Sequence, residues 1–263
     1  MTTSGSASTG PQPNGQPGQV TLAYNYARFR PSEHPLNQEF SGPKIGDRAP
    51  DFRVADIDGA EVALSDLRGR FVVLETGCAT CPMFGKGIVT MNALAYRFPD
   101  VAFLVLYIRE AHPGENLGPH RSQADKTAAA NVLRQEDREG RRILIDTLDG
   151  QVHRAYGSMP NAVYVIDPNG IVVFRSVWND PAAVEKALQQ AMAGGDPSQL
   201  QPGPRFAPPA VIWRILRRAG GQALRDVVVM IPLAVRNFPK LARDDVNSAR
   251  DGRFPRLRKS PRR

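Results

Sequence analysis

The sequence predicts an α/β domain in which a β-α-β unit is followed by a β-hairpin and a closing helix. Three observations predict it. An apolar run, Phe71-Val72-Val73-Leu74, leads into Gly77-Cys78-Ala79-Thr80-Cys81-Pro82 and a helical stretch. Val101 to Ile108 is almost continuously apolar, as a central parallel strand covered on both faces must be. Pro168-Asn169-Gly170 then separates two short apolar runs, which read as a hairpin.

Each element follows in chain order. Asp51 to Ala55 and Glu61 to Leu64 alternate around Asp58-Gly59, which predicts an N-terminal β-hairpin. Phe71 to Thr76 reads as a buried strand, and a helix is expected from Pro82 to about Arg97. After the strand Val101 to Ile108, a loop from Arg109 to about Gly118 precedes a helix over Ser122 to Arg138. Arg142 to Asp146 is the next strand, and Leu148 to Tyr156 a short helix ended by Gly157. Ala162 to Ile166 and Ile171 to Ser176 form the second hairpin. A helix from Pro181 to about Met192 follows, capped by Asn179 or Asp180.

The order β-β-β-α-β-α-β-α-β-β-α is the thioredoxin-like arrangement, with the extra N-terminal hairpin and inserted helix found in peroxiredoxins. Thioredoxin folds place a reactive cysteine after the first strand of the β-α-β unit, where Cys81 lies. They also place a cis-proline before the last hairpin, so a cis Met159-Pro160 bond is expected.

Three regions are expected: a leader and arm over 1–43, the redox domain over 44–195, and a basic tail over 196–263. The 263 residues are 41% hydrophobic, enough for a sizeable core. The net charge of +8 belongs to the tail: residues 200–263 hold 15 of the 34 Lys and Arg and only 4 of the 26 Asp and Glu. Residues 1–19 carry no charge and read as a disordered leader. Tyr24 to Pro43 is polar and proline-punctuated, an irregular arm. No charged start followed by an apolar stretch marks a secretory signal, and Val227 to Val235 is far shorter than the roughly 20 residues of a membrane span. A reducing, cytoplasmic setting is therefore expected, with peripheral membrane contact as the further option. In the tail, Ala210 to Arg218 places Val211, Ile212, Ile215 and Leu216 on one helical face, and a second helix is expected over Gln222 to Leu233. Such a basic pair suits an anionic membrane surface (208–263) or packing on the domain, with 250–263 disordered. A nucleic-acid partner is disfavoured, because the tail, with Phe238 and Phe254 among its aromatics, lacks a recognised reading motif. A homodimer is compatible with the sequence.

Both cysteines of the chain lie in Cys78-Ala79-Thr80-Cys81, too close together to staple a fold. Zinc needs a second pair of ligands that the sequence lacks, so no metal and no cofactor are expected. Pro82 at the first helical position leaves the Cys81 sulfur beside free N–H groups of Met83 and Phe84, which stabilise a thiolate. Cys81 is the predicted nucleophile and Cys78 the resolving thiol, with an external thiol, thioredoxin or a low-molecular-weight thiol, as reductant. Thr80 is placed to hydrogen-bond the thiolate or an oxidant. Phe84 stands where thioredoxins carry their second cysteine. His112, at the carboxyl end of a parallel strand, is a candidate proton relay or substrate donor. Met159, Pro160, Glu110, Phe84, His120 and Arg121 complete the candidate substrate-binding set. Glu75 is a buried-carboxylate candidate without an assigned role, and His34 and His153 carry no functional signal.

The strings Val73 to Phe84, Tyr107-Ile108-Arg109-Glu110-Ala111-His112, His120 to Asp125 and Tyr156-Gly157-Ser158-Met159-Pro160 resemble the iodothyronine deiodinase family of the thioredoxin superfamily. The resemblance covers roughly Gly46 to Leu188, and its most specific part is Tyr-Ile-x-Glu-Ala-His. It implies reductive removal of iodide from an aryl iodide by a chalcogen at Cys81, where many relatives carry selenocysteine, with a thiol regenerating it. Pro113-Gly114-Glu115-Asn116 replaces the family's Asp-Gly-Trp after the histidine, and Met83 stands at a common proline position. Two alternatives stand beside this reading: a peroxiredoxin-like thiol peroxidase, and a non-catalytic adaptor that docks through its basic tail.

Overall fold

The computed structural model describes residues 24–30, 40–200, 202 and 206–229. The expectations for residues 1–19 and 250–263 lie outside the described residues, as does His34.

Five strands form the main sheet in the order β5-β4-β3-β6-β7: β3 (Val72–Gly77), β4 (Ala102–Tyr107), β5 (Arg142–Ile145), β6 (Val163–Ile166) and β7 (Val172–Ser176). β3, β4 and β5 are parallel, with Val72 opposite Ala102 and Gly77 opposite Tyr107; β6 runs antiparallel to β3 and β7 antiparallel to β6. β1 (Arg53–Ala55) and β2 (Glu61–Ala63) form a separate antiparallel hairpin, which reaches the sheet through the Asp56 to Leu144 bridge. This is a thioredoxin-like α/β fold with the N-terminal hairpin.

Every residue of β3 is buried because both faces of the sheet are covered. On one face Val73, Phe103, Val163 and Val165 pack with Met91 and Leu94 of one helix and Val184 and Leu188 of another. On the other, Leu74, Leu104 and Tyr164 pack with Ala130, Leu133, Phe52 and Val62. The helices are α1 (Pro82–Gly85), α2 (Ile88–Arg97), α3 (Gln123–Gln135), α4 (Gln151–Ala155) and α5 (Pro181–Met192). Ser122 and Asp125 form a capping box at the start of α3, and Asp180 caps α5.

Two expectations are corrected. The helix expected from Pro82 to Arg97 is broken into α1 and α2 at Gly85-Lys86-Gly87, since glycine is a poor helix former and two of them flank the break. The Met159-Pro160 bond is trans, and no peptide bond among the described residues is cis. The chain instead reverses through Ser158 at φ +59°. The Met159 carbonyl is then held by the Thr76 hydroxyl at 2.7 Å and His153 Nε2 at 2.9 Å.

The arm and the tail both pack on the domain. Tyr24 and Phe29 are buried, and the Tyr24 hydroxyl donates to His153 Nδ1 at 2.7 Å, which gives His153 a structural place. α6 (Pro209–Ala219) buries Ile215, Leu216 and Ala219, the face the sequence makes apolar, and α7 covers 221–229. Among the described residues, no helix is long and apolar enough to cross a membrane.

Candidate active site

The cysteine turn sits where β3 ends and α1 begins. Cys81 N–H closes the turn on the Cys78 carbonyl at 3.3 Å, and the Cys81 carbonyl accepts from Gly85 N–H at 2.9 Å. Cys81 is the extended N-cap residue (φ −98°, ψ 107°), and Pro82 follows at the first helical position. Both thiols are free and buried. A hydrogen bond from Cys78 pulls the Cys81 thiol below its ordinary value against the opposing push of burial, and the N–H groups of Phe84 and Met83 add to that pull. Burial pushes Cys78 well above its ordinary value, and the neighbouring Cys81 and Glu110 push the same way. The two sulfurs are therefore shifted in opposite directions, Cys81 down and Cys78 up, with Ala111 N–H donating to the Cys78 sulfur at 3.2 Å.

Glu110, just past the end of β4, gathers the polar groups on one side of the turn. Its Oε2 accepts the Thr80 N–H at 3.0 Å and the Thr80 hydroxyl at 2.7 Å. Its Oε1 accepts the Tyr107 hydroxyl and lies 3.4 Å from His120 Nε2. Burial pushes the Glu110 carboxyl up, but His120, Tyr107 and Thr80 together hold it below its ordinary value. The Thr80 hydroxyl lies 3.8 Å from the Cys78 sulfur and accepts His112 N–H at 3.0 Å. Polar contacts thus lead from Cys78 through Thr80 to Glu110, and His120 Nε2 faces the Glu110 carboxylate without a hydrogen bond to it. His120 borders a cavity of about 550 Å³ between the loop 114–121 and α3.

Glu75 of β3 gathers a second set. Arg141 donates to its Oε2 at 2.5 Å, and Asn161 and Asn179 each donate to Oε1 at 2.7 Å. Arg141 also pairs with Glu139 at 2.6 Å. Burial opposes the Arg141 charge, yet the two carboxylates outweigh it and raise its pKa. Burial pushes Glu75 up against the pull of Arg141.

The arm roofs the turn. The Tyr26 hydroxyl donates to the Ala111 carbonyl at 2.9 Å, and Arg109 lies between the Tyr24 and Tyr26 rings, 4.7 and 5.0 Å from their centres. Phe29 stacks at 4.5 Å on His112, whose pKa burial lowers to about 4.

Of the residues singled out from the sequence, Cys78, Thr80, Cys81, Glu110, His112 and His120 share this neighbourhood. Arg121 is exposed beside the cavity at His120. Phe84 lies wholly in the core, its ring in the space a Gly77 side chain would need, and Met159 and Pro160 are buried at the turn before β6. Tyr26, Arg109 and Arg218 had no local sequence signal, since they reach the turn from distant segments. The partners of Glu75 come from three separate loops. Among the described residues, no group of three or more His, Cys, Asp or Glu is placed to hold a metal.

A thioredoxin-like sheet with two free cysteines at the β3-α1 turn places the protein among the thioredoxin-like folds. The iodothyronine deiodinase family profile matches residues 24–177, and the chain belongs to that family. It is 30% identical over 146 residues to thyroxine 5-deiodinase of Gallus gallus, covering 51% of this chain and 56% of that protein. It is 32% identical over 140 residues to thyroxine 5-deiodinase of Homo sapiens, covering 48% and 46%. The chain spans about half the length of these curated relatives. Among solved structures, the thioredoxin domain of a thiol-disulfide oxidoreductase from Bacteroides vulgatus is 20% identical, with a TM-score of 0.43 over 54% of this chain and 96% of that one.

Proposed function

We propose that the protein is a thiol-dependent oxidoreductase that removes iodide reductively from an aryl iodide. The observation that carries this reading is the split between the two sulfurs: Cys81 is the residue that opens a helix and its thiol is shifted down, while the buried Cys78 beside it is shifted up. The Cys81 thiolate attacks iodine, the carbon–iodine bond breaks, and the aryl carbon takes a proton. Thr80, Glu110 and His120 form the chain that delivers it. Cys78 then attacks the sulfenyl iodide, giving iodide, a proton and a Cys78–Cys81 disulfide. An external dithiol or two equivalents of a low-molecular-weight thiol return the pair to its reduced state.

Single-turnover assays of the reduced protein against an aryl iodide and against hydrogen peroxide test this. The expected result is iodide release with one disulfide formed per iodide. Peroxide consumption without iodide release would replace it with the peroxidase reading. A Cys81 alkylation midpoint at or above about 8.5, the unperturbed thiol value, would remove the activated thiolate altogether.

A further inference from the structure

The family match ends at residue 177, and beyond it α6 folds back onto the cysteine turn and α1. α6 lies directly on α1: a side chain at Gly85 would begin 2.3 Å from Ile215 Cδ1. Arg218 of α6 donates to the Ala79 carbonyl, between the two cysteines, at 2.5 Å and to Asp137 at 2.8 Å. Arg214 pairs with the same carboxylate. The loop before α3 is bound to the end of α6, with Asn116 N–H on the Ala219 carbonyl at 2.9 Å. Gly114 approaches so closely there that a Cβ would stand 2.3 Å from that carbonyl oxygen.

α7 joins this cover to the arm. Gln222 Nε2 donates to the Ala27 carbonyl at 2.9 Å, and Asp226 pairs with Arg28. Under arm and tail together, Cys78 is 0% and Cys81 2% exposed. The cover is held differently from the core beneath it. Its apolar cluster of Leu216, Ala219 and Ala223 stands apart from the two clusters that flank the sheet, and ion pairs and single hydrogen bonds supply much of the remainder. Elements held this way open at lower cost than the core they lie on. A sulfur under such a cover meets a bulky molecule only when the cover lifts.

We infer that α6 and α7, clasped to the arm at 24–30, form a gate over the cysteine pair, latched by Arg218 between Ala79 and Asp137, which sorts incoming electrophiles and thiols by size. The gate rests on Cys81 being the attacking sulfur, but it concerns access rather than bond making. It predicts that a protein-sized reductant reaches the Cys78–Cys81 disulfide only through the open form, while a small thiol meets less resistance.

The test is alkylation of the full chain at Cys81 by two reagents, iodoacetamide and a maleimide carrying a polyethylene glycol chain, read by peptide mass spectrometry. Arg218→Ala is expected to raise the ratio of bulky to small reagent rates about tenfold, because Asp137, 1% exposed, loses one of its two guanidinium partners and the latch on Ala79 goes with it. Arg28→Ala, an exposed position on the arm, is expected to raise the ratio less. The pH midpoint of alkylation should stay where it is in both variants. An unchanged ratio in both overturns the gate. Equal acceleration by both reagents with a shifted midpoint also overturns it, since Arg218 would then act on the thiolate itself. A changed ratio in a protein that releases no iodide leaves the gate standing and removes the deiodination reading.

Discussion

Two buried carboxylates flank the cysteine turn, and they are shifted in opposite directions. Glu75, on β3, is pushed up by burial although Arg141, Asn161 and Asn179 all donate to it. Glu110, past β4, is equally enclosed but held low by His120, Tyr107 and Thr80. The difference lies in where each cluster leads. The partners of Glu75 are themselves buried and tie β3 to the segments before β5, before β6 and before α5. The partners of Glu110 run from the cysteine turn to a cavity. A buried carboxylate with a buried guanidinium clamps the fold, whereas one bound by hydroxyls and an imidazole at a cavity edge is placed to move a proton.

The largest expected effect tests the clamp. Glu75→Leu should cost about 3–5 kcal/mol in chemical denaturation, because Arg141 and two buried amides lose their common acceptor. If stability held and iodide release alone collapsed, the division between the two carboxylates would fail. Next in size, Glu110→Gln should slow single-turnover iodide release about 100-fold while the fold survives, the scale of a lost general acid–base path. A variant that turns over normally would take Glu110 out of the proton chain.

Acid sharpens the contrast. Burial beside Phe29 lowers His112 from 6.5 to about 4, so its neutral form is favoured in the fold. That contribution is complete above about pH 6.5 and is lost as pH falls toward 4, roughly 2 kcal/mol once partial exposure is discounted. Urea midpoints followed against pH should fall less in His112→Gln than in the wild type, by about this amount. The loss that remains in the variant belongs to the carboxyls held below their ordinary values, Glu110 and Asp56 among them. The smallest effect should come from Tyr107→Phe, about 1 kcal/mol in stability for one hydroxyl, with iodide release slowed far less than by Glu110→Gln. Equal slowing would put Tyr107 on the proton path.

Much of the fold was legible because its signals are local. The unbroken apolar run at 101–108 forces a strand covered on both faces, Pro82 marks a helix start, and the Pro168-Asn169-Gly170 turn joins β6 to β7. The break after Gly85 was less legible, since helical periodicity continues across it. The trans Met159-Pro160 turn was not legible at all. Thr76 and His153, far apart in sequence, hold the Met159 carbonyl, and Ser158 takes up the reversal. At the site, the cysteine pair stood out through spacing and the neighbouring proline. Tyr26, Arg109, Arg141 and Arg218 look like any other surface tyrosine or arginine until the chain is folded.

What this sequence determined by itself is the order of the elements and the asymmetry of its cysteine pair. Periodicity and the N–H groups at a helix start act over a few residues, and those residues are contiguous. Only the tertiary structure decided which carboxylate clamps and which faces a cavity, and that arm and tail pack around the cysteine turn. Those outcomes depend on burial and on partners brought together from as far apart as Arg28 and Asp226, which no local pattern encodes.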